Sequence, residues 1–229
     1  IEFLKLGADV LFTARNEKDI SALEAELKKD GYQVTGLVAD SAEAKDVQKI
    51  KTWIEENWKS LDILVNNAGI NIRKRANEYS EEEFRKVLEI NLVAPFQISR
   101  ALHPFLKHSG KASIINVASS AAIQDVGTGT PYAMSKSGLL QQSRSLAVEW
   151  AENGIRVNSV SPWFTKTPLT EAYLHNEEKM GSILKRTPLN RVAEADEIAF
   201  IISFLAMDKS SFVTGQNIVA DGGMSINAL

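Results

Sequence analysis

The 229-residue sequence contains no cysteine, which excludes disulfides, thiolate metal sites and a cysteine nucleophile. Histidine is scarce. His103, His108 and His175 are the only three, none stands in an H-E-x-x-H or related ligand spacing, and so surface or capping roles are expected and metal is not. No apolar run approaches the ~18 residues of a membrane-crossing helix; the nearest, residues 198–207, is too short. Basic charge is not in excess either. With a formal net charge of −3, neither nucleic acid nor an anionic membrane is an expected partner. What is present, 44% hydrophobic and 24% charged residues, is the composition of an ordinary globular protein with enough chain for a substantial core.

Apolar, β-branched runs alternate with helical patterns along nearly the whole chain. The runs span residues 8–15, 33–40, 61–69, 112–120, 155–162 and 216–223. Between the first three lie amphipathic segments, one with Ile20, Leu23 and Leu27 and one with Val47, Ile50, Ile54 and Trp58 at steps of three and four. Residues 81–107, 131–152 and 194–207 read as three further helices. Continuous apolar strands separated by helices predict a parallel sheet covered on both faces, a doubly wound, Rossmann-like α/β fold. No second domain, repeat or linker interrupts it, so residues 1–229 read as a single domain.

In such sheets ligands bind beyond the carboxyl ends of the strands. The unusual residues gather there: Arg15 after the first run, Asp40 after the second, Asn66-Asn67-Ala68-Gly69 after the third, Ser119 after the fourth and Pro162 after the fifth. One further pair stands out. Tyr132 and Lys136, four apart behind Pro131, fall on one face of a helix. A phenol titrates near ~10, and a nearby cation or helix N-terminus favours its ionised form, so Lys136 is expected to make Tyr132 a usable general acid.

Asn-Asn-Ala-Gly after an apolar strand, Ser119 thirteen residues before Tyr-x-x-x-Lys, and a late Thr-Gly-Gln with Asp-Gly-Gly make the chain resemble the short-chain dehydrogenase/reductase family. The segments RNEKDI, VNNAGI, AVEWAENGIRVNSVSP and TPL resemble its tropinone-reductase-like branch most closely. That resemblance implies hydride transfer between a nicotinamide cofactor and an alcohol or carbonyl. It makes Tyr132 the acid/base, Lys136 its partner and a ribose ligand, and Asn91 a residue whose backbone positions a proton-relay water. Ser119 becomes the serine that orients the substrate oxygen, with Ser120 as the neighbouring alternative. On the cofactor side it implies Asp40 at the adenine, Asn67, Ala68 and Gly69 along the dinucleotide, and Pro162, Thr165 and Thr167 at the nicotinamide.

At the end of the first run, where NAD-preferring relatives carry an acid, stand Ala14, Arg15 and Asn16. An arginine can chelate a 2′-phosphate, so NADP(H) is favoured over NAD(H). The leading function is therefore an NADP(H)-dependent carbonyl reductase acting on a small or medium ketone. The alternatives are an NAD(H)-dependent sugar-acid or polyol dehydrogenase and a non-catalytic NADP(H)-binding regulator. The family resemblance also implies a cytoplasmic homo-oligomer, dimer or tetramer, to whose contacts the terminal MSINAL would be suited.

Two departures accompany the resemblance. The family's Gly-rich phosphate loop and first strand are missing, so the chain is read as beginning roughly 20–25 residues downstream of a natural start, since losing a central strand would expose two sheet edges in the core. And Pro162 is followed by Trp163 where the family has glycine; its indole either walls the substrate pocket or packs beneath the next loop. Residues 163–191, polar and broken by Gly and Pro, are expected to form a lid, with Leu169, Tyr173 and Met180 as candidate apolar contacts. The basic run Arg73-Lys74-Arg75 reads as a solvated loop or, more sharply, as a site for an anionic substrate.

Overall fold

The computed structural model describes residues 1–227. In chain order its elements are α1 (Glu2–Lys5), β1 (Val10–Ala14), α2 (Glu17–Lys29), β2 (Val34–Val38), α3 (Ala44–Asn57), β3 (Ile63–Asn66), α4 (Glu81–Leu88) and α5 (Ala94–Ser109). They continue as β4 (Ser113–Val117), α6 (Thr130–Glu149), β5 (Arg156–Pro162), α7 (Pro168–Leu174), α8 (Glu177–Arg186), α9 (Ala195–Ala206) and β6 (Asn217–Ala220). Every strand falls within one of the six apolar runs, and all pairings are parallel. The terminal Ala228 and Leu229, part of the expected contact segment, lie outside the described residues.

The strands form two sheets, β1–β2 and β3–β4–β5–β6, rather than one continuous ladder. Both belong to one α/β body, because Leu11, Leu37 and Leu64 pack against the same cluster of buried side chains from α3, α5 and α6. Ile114, Ile115, Val157 and Val160 on the two central strands are fully buried. Burying each such side chain contributes about 1.5–3 kcal/mol, and Asn116, Asn158 and Ser159 on the same strands are buried with them, as in a parallel sheet covered on both faces. Among the described residues no helix is long and apolar enough to cross a membrane.

Local chemistry sets the helix starts. Asn16 caps α2 by accepting from the N–H groups of Lys18 and Asp19 at 3.0 and 3.4 Å. Ser80 and Glu83 exchange hydrogen bonds as a capping box at the start of α4. The single helix expected over 81–107 is instead two helices joined by a π-helical segment, Glu89–Val93, where the N–H of Ala94 reaches back to the carbonyl of Glu89. Pro95 is the physical reason. It has no N–H to offer the carbonyl of Asn91, four residues back, so the regular α-helical ladder is interrupted there.

Candidate active site

Asn91 sits inside the widened turn, fully buried. Its side chain accepts from the N–H of Ile70 at 2.8 Å and donates to the carbonyl of Ile70 at 2.9 Å and to Ser135 Oγ at 3.1 Å. It therefore clips the loop after β3 to helix α6. The same clip brings Gly69 against the catalytic candidates: a Cβ there would lie 3.3 Å from Asn91 Oδ1 and 3.4 Å from Lys136 Nζ. Only glycine leaves that approach unhindered.

Lys136 points down into the fold and donates to the carbonyl of Val117 at 2.7 Å. Its Nζ is 5.9 Å from the centroid of the Tyr132 ring. Burial pulls this ammonium down to a pKa of about 8. Burial also pushes the Tyr132 phenol above its ordinary value, outweighing the nearby Ser119 hydroxyl and the positive charge of Arg73, which both pull it down. The Lys136 ammonium gives one hydrogen bond to a backbone carbonyl beside the phenol, and burial raises the phenol more than Arg73 and Ser119 lower it. Tyr132 holds its proton at neutral pH.

Ser119 is the serine that meets Tyr132; its hydroxyl also accepts from the N–H of Ala121 at 3.2 Å. Ser120, the alternative, is fully buried and donates to the carbonyl of Pro162 at 3.1 Å. One residue of strand-end alternation separates a side chain facing the cleft from one facing the core.

A buried polar ladder holds these elements in register. Asn66, Asn116 and Ser159 are direct neighbours on β3, β4 and β5. Asn66 Nδ2 donates to Asn116 Oδ1 at 2.7 Å and to Ser99 Oγ at 3.2 Å, while Asn116 Nδ2 donates to Ser143 Oγ at 2.8 Å. Ser159 Oγ donates to the same Ser143 hydroxyl at 2.7 Å. The ladder thus ties α5 through Ser99 and α6 through Ser143 to the sheet, one helical face below Tyr132 and Lys136. Sequence reasoning singled out Asn66 only as part of a turn and missed Asn116, Ser143 and Ser159 in this role.

At the other strand ends, Arg15 and Asp40 come together, Nη1 to Oδ2 at 4.0 Å, with Arg15 largely exposed. Asp40 Oδ1 also accepts from the N–H of Ala42 at 3.0 Å. Asn67 and Ala68 are exposed beyond β3. Pro162 ends β5, paired with Ala220. Thr165 is buried and donates to the carbonyl of Trp163 at 3.2 Å, and Thr167 caps α7, its Oγ1 3.1 Å from Thr170 Oγ1.

Residues 163–191 carry α7 and α8. Beneath them the Trp163 indole meets Phe164 edge-on at 4.8 Å and donates to Thr187 Oγ1 at 3.1 Å. Tyr173 stacks on Phe164 at 5.4 Å, and Met180 joins the same cluster, whereas Leu169 stands half-exposed on α7. Of the two roles open to Trp163, its contacts are those of packing beneath the following segment. It also lines a groove of about 470 Å³ with Leu189, Ile198, Ile201 and Val219, and neither Tyr132 nor Ser119 belongs to that groove. Among the described residues no group of three or more His, Asp or Glu side chains is arranged to hold a metal ion.

With this geometry in view, the chain matches the family model described as enoyl-(acyl carrier protein) reductase over residues 1–225. It is 38% identical to a tropinone reductase homolog of Arabidopsis thaliana over 227 residues, 99% of this chain and 86% of that one. The chain belongs to the short-chain dehydrogenase/reductase family. Senescence-associated protein 13 of the same plant is 37% identical over 99% of this chain and 84% of its own. Among solved structures, a gluconate 5-dehydrogenase from Burkholderia cenocepacia, in complex with NADP and tartrate, superposes with a TM-score of 0.93 at 28% identity, over 98% of this chain and 88% of that one. As a family member the protein is an oxidoreductase of the short-chain type with a Rossmann-like sheet.

Proposed function

We propose that the protein is an NADP(H)-dependent carbonyl reductase acting on small or medium ketones, and on the corresponding secondary alcohols in reverse. The observation that carries this reading is the convergence of Ser119 after β4, Tyr132 and Lys136 on α6, and Asn91 in the π-helical turn, drawn from three separate elements, at one strand-end cleft. The residues present fit a nicotinamide dinucleotide: Gly69 leaves open the space that a Cβ would take beside Lys136 and Asn91, and Arg15 and Asp40 lie exposed or half-exposed at neighbouring strand ends. In this reading Asn67, Ala68 and Gly69 hold the dinucleotide, Asp40 its adenine and Lys136 its nicotinamide ribose. Pro162, Thr165 and Thr167 border the nicotinamide, and Arg15 takes the 2′-phosphate, which favours NADP(H). When bound, the cofactor supplies the hydride that reaches the carbonyl carbon.

The chain's own residues manage the oxygen. Ser119 and Tyr132 hydrogen-bond the carbonyl, and the phenol O–H breaks as a new O–H forms on the substrate. Because burial keeps Tyr132 protonated, it enters as the acid, which favours reduction at neutral pH; oxidation needs the phenolate and gains as pH rises. Lys136, with its pKa near 8, can return a proton to Tyr132, and the backbone of Asn91, in the widened turn, positions the water of a relay toward solvent. Residues 163–191, with Leu169 and Tyr173 above and Trp163 packed beneath, act as the lid over the substrate. The cytoplasmic location and the homo-oligomer remain part of the same proposal; partly exposed Phe200 and Phe204 on α9, next to the edge strand β6, support the latter.

A second reading, a sugar-acid or polyol dehydrogenase, is favoured by the likeness to the gluconate 5-dehydrogenase. The test is loss of reduced-nicotinamide absorbance with NADPH and NADH separately, against cyclic ketones, keto sugars and keto acids. Tyr132→Phe is expected to lose about 10²–10⁴-fold in turnover while still binding NADPH. Undiminished activity in that variant would remove the assignment, and tight NADPH binding with no turnover of any ketone would bring the regulator forward.

A further inference from the structure

The loop that follows β3 carries Arg73, Lys74 and Arg75 in succession. Lys74 is committed to Glu83 at 2.5 Å. Arg73 has no such commitment: among the described residues no carboxylate lies within salt-bridge reach of its guanidinium. A free, exposed arginine is ordinarily a solvated one. This one stands on an anchored stem. Asn91 holds Ile70 on one side, and on the other the Tyr79 hydroxyl bonds the carbonyl of Ile72 and fills the space beside Gly129, three residues before Tyr132. Gly129 has φ +98°, a conformation that, with this contact, leaves no room for a side chain.

The guanidinium is fixed from above as well. Its Cζ lies 4.9 Å from the centroid of Tyr173 on α7, and Lys179 on α8 approaches the same ring at 4.3 Å. Tyr173 in turn stacks on Phe164, so the ring that receives both cations is itself held. Arg73 also lies near enough to Tyr132 for its charge to act on the phenol. An unneutralised guanidinium is therefore set between the proton donor and the lid, oriented by a ring and backed by a second cation.

We propose that Arg73 is the carboxylate-binding residue of the substrate pocket, so that the preferred substrate is an anionic ketone or hydroxy acid. This rests on the reading of Tyr132 as the reacting centre. A guanidinium presents two parallel N–H donors that match a carboxylate, and stacking on Tyr173 reduces the freedom lost when it binds. Lys179 adds attraction without the fork. The basic run thereby has one member for structure, Lys74, and one for recognition, Arg73.

The test compares a series of keto acids of increasing chain length with their neutral carboxamides, using NADPH, and reads the acid-over-amide ratio of kcat/KM. Arg73→Gln is expected to lower that ratio by about 10–100-fold, mainly through KM, and Arg73→Lys to restore only part of it. Lys179→Gln is expected to move the ratio far less. In parallel, calorimetric titration of tartrate into the NADP-loaded protein is expected to show binding that Arg73→Gln abolishes. A ratio unchanged by Arg73→Gln, or changed as much by Lys179→Gln, would overturn the assignment while leaving the reductase standing. Arg73-dependent tartrate binding with no turnover of acid or amide would keep the anion site and remove the reductase instead.

Discussion

Lys136 is required for the proposed chemistry yet is a burden on the fold, and the burden can be measured. Its ammonium is buried, and its pKa falls from the ordinary 10.5 to about 8. At ~1.4 kcal/mol per pH unit, that displacement is a penalty of about 3 kcal/mol on the folded state. The sign follows from proton counting. Below pH 8 both states carry the charge and the penalty is complete. Between 8 and 10.5 the folded protein has released the proton while the unfolded chain still holds it, so stability rises with pH, and above 10.5 the penalty is gone.

Lys136→Met removes the charge, keeps most of the volume, and loses the 2.7 Å hydrogen bond to Val117, a loss of about 1 kcal/mol. The net expectation at pH 7 is a variant about 2 kcal/mol more stable than the parent, or roughly 4–8 °C in Tm for a domain of this size. It should at the same time be inactive. Thermal melts without cofactor at pH 7 and pH 10 check it: the gap between variant and parent should shrink as the pH rises. A variant less stable than the parent at pH 7, with a gap indifferent to pH, would refute the argument that this ammonium is held against its solvation preference.

Asn116→Leu should behave in the opposite way. It leaves Asn66 Nδ2 with only Ser99 and takes a donor from Ser143, so a loss of about 2–4 kcal/mol is expected in urea unfolding, with activity falling as α6 loses its register. Arg15→Gln is expected to raise KM for NADPH by about 10–100-fold with little change for NADH, since a 2′-phosphate loses its charge-assisted partner; equal effects on both cofactors would place the phosphate elsewhere.

The alternation of apolar runs and 3.6-residue patterns, the strand-end gathering of Arg15, Asp40, Asn67, Ser119 and Pro162, and the spacing of Tyr132 to Lys136 were all legible in the sequence. Each depends on a local period or on chain direction, and both survive in one dimension. The contacts that decide the chemistry do not. The Asn66–Asn116 bond joins residues 50 apart and the Asn91–Ile70 pair residues 21 apart, so neither exists until strands pair in register. A one-residue slip would exchange Ser119 for Ser120.

The π-helical turn stands between these cases. Asn91 and Pro95 were there to be read, four apart, but whether a proline at that distance breaks, bends or widens a helix is decided by tertiary contacts, here the clasp of the Asn91 side chain on Ile70 and Ser135. The proton affinity of the two catalytic candidates was the most tertiary property of all. Sequence placed a cation one helical turn from a phenol and predicted an acidified tyrosine. Only the folded structure shows the ammonium giving its hydrogen bond to Val117 and burial raising the phenol more than Arg73 and Ser119 lower it, because burial is set by every element that packs around the pair and by no spacing within it.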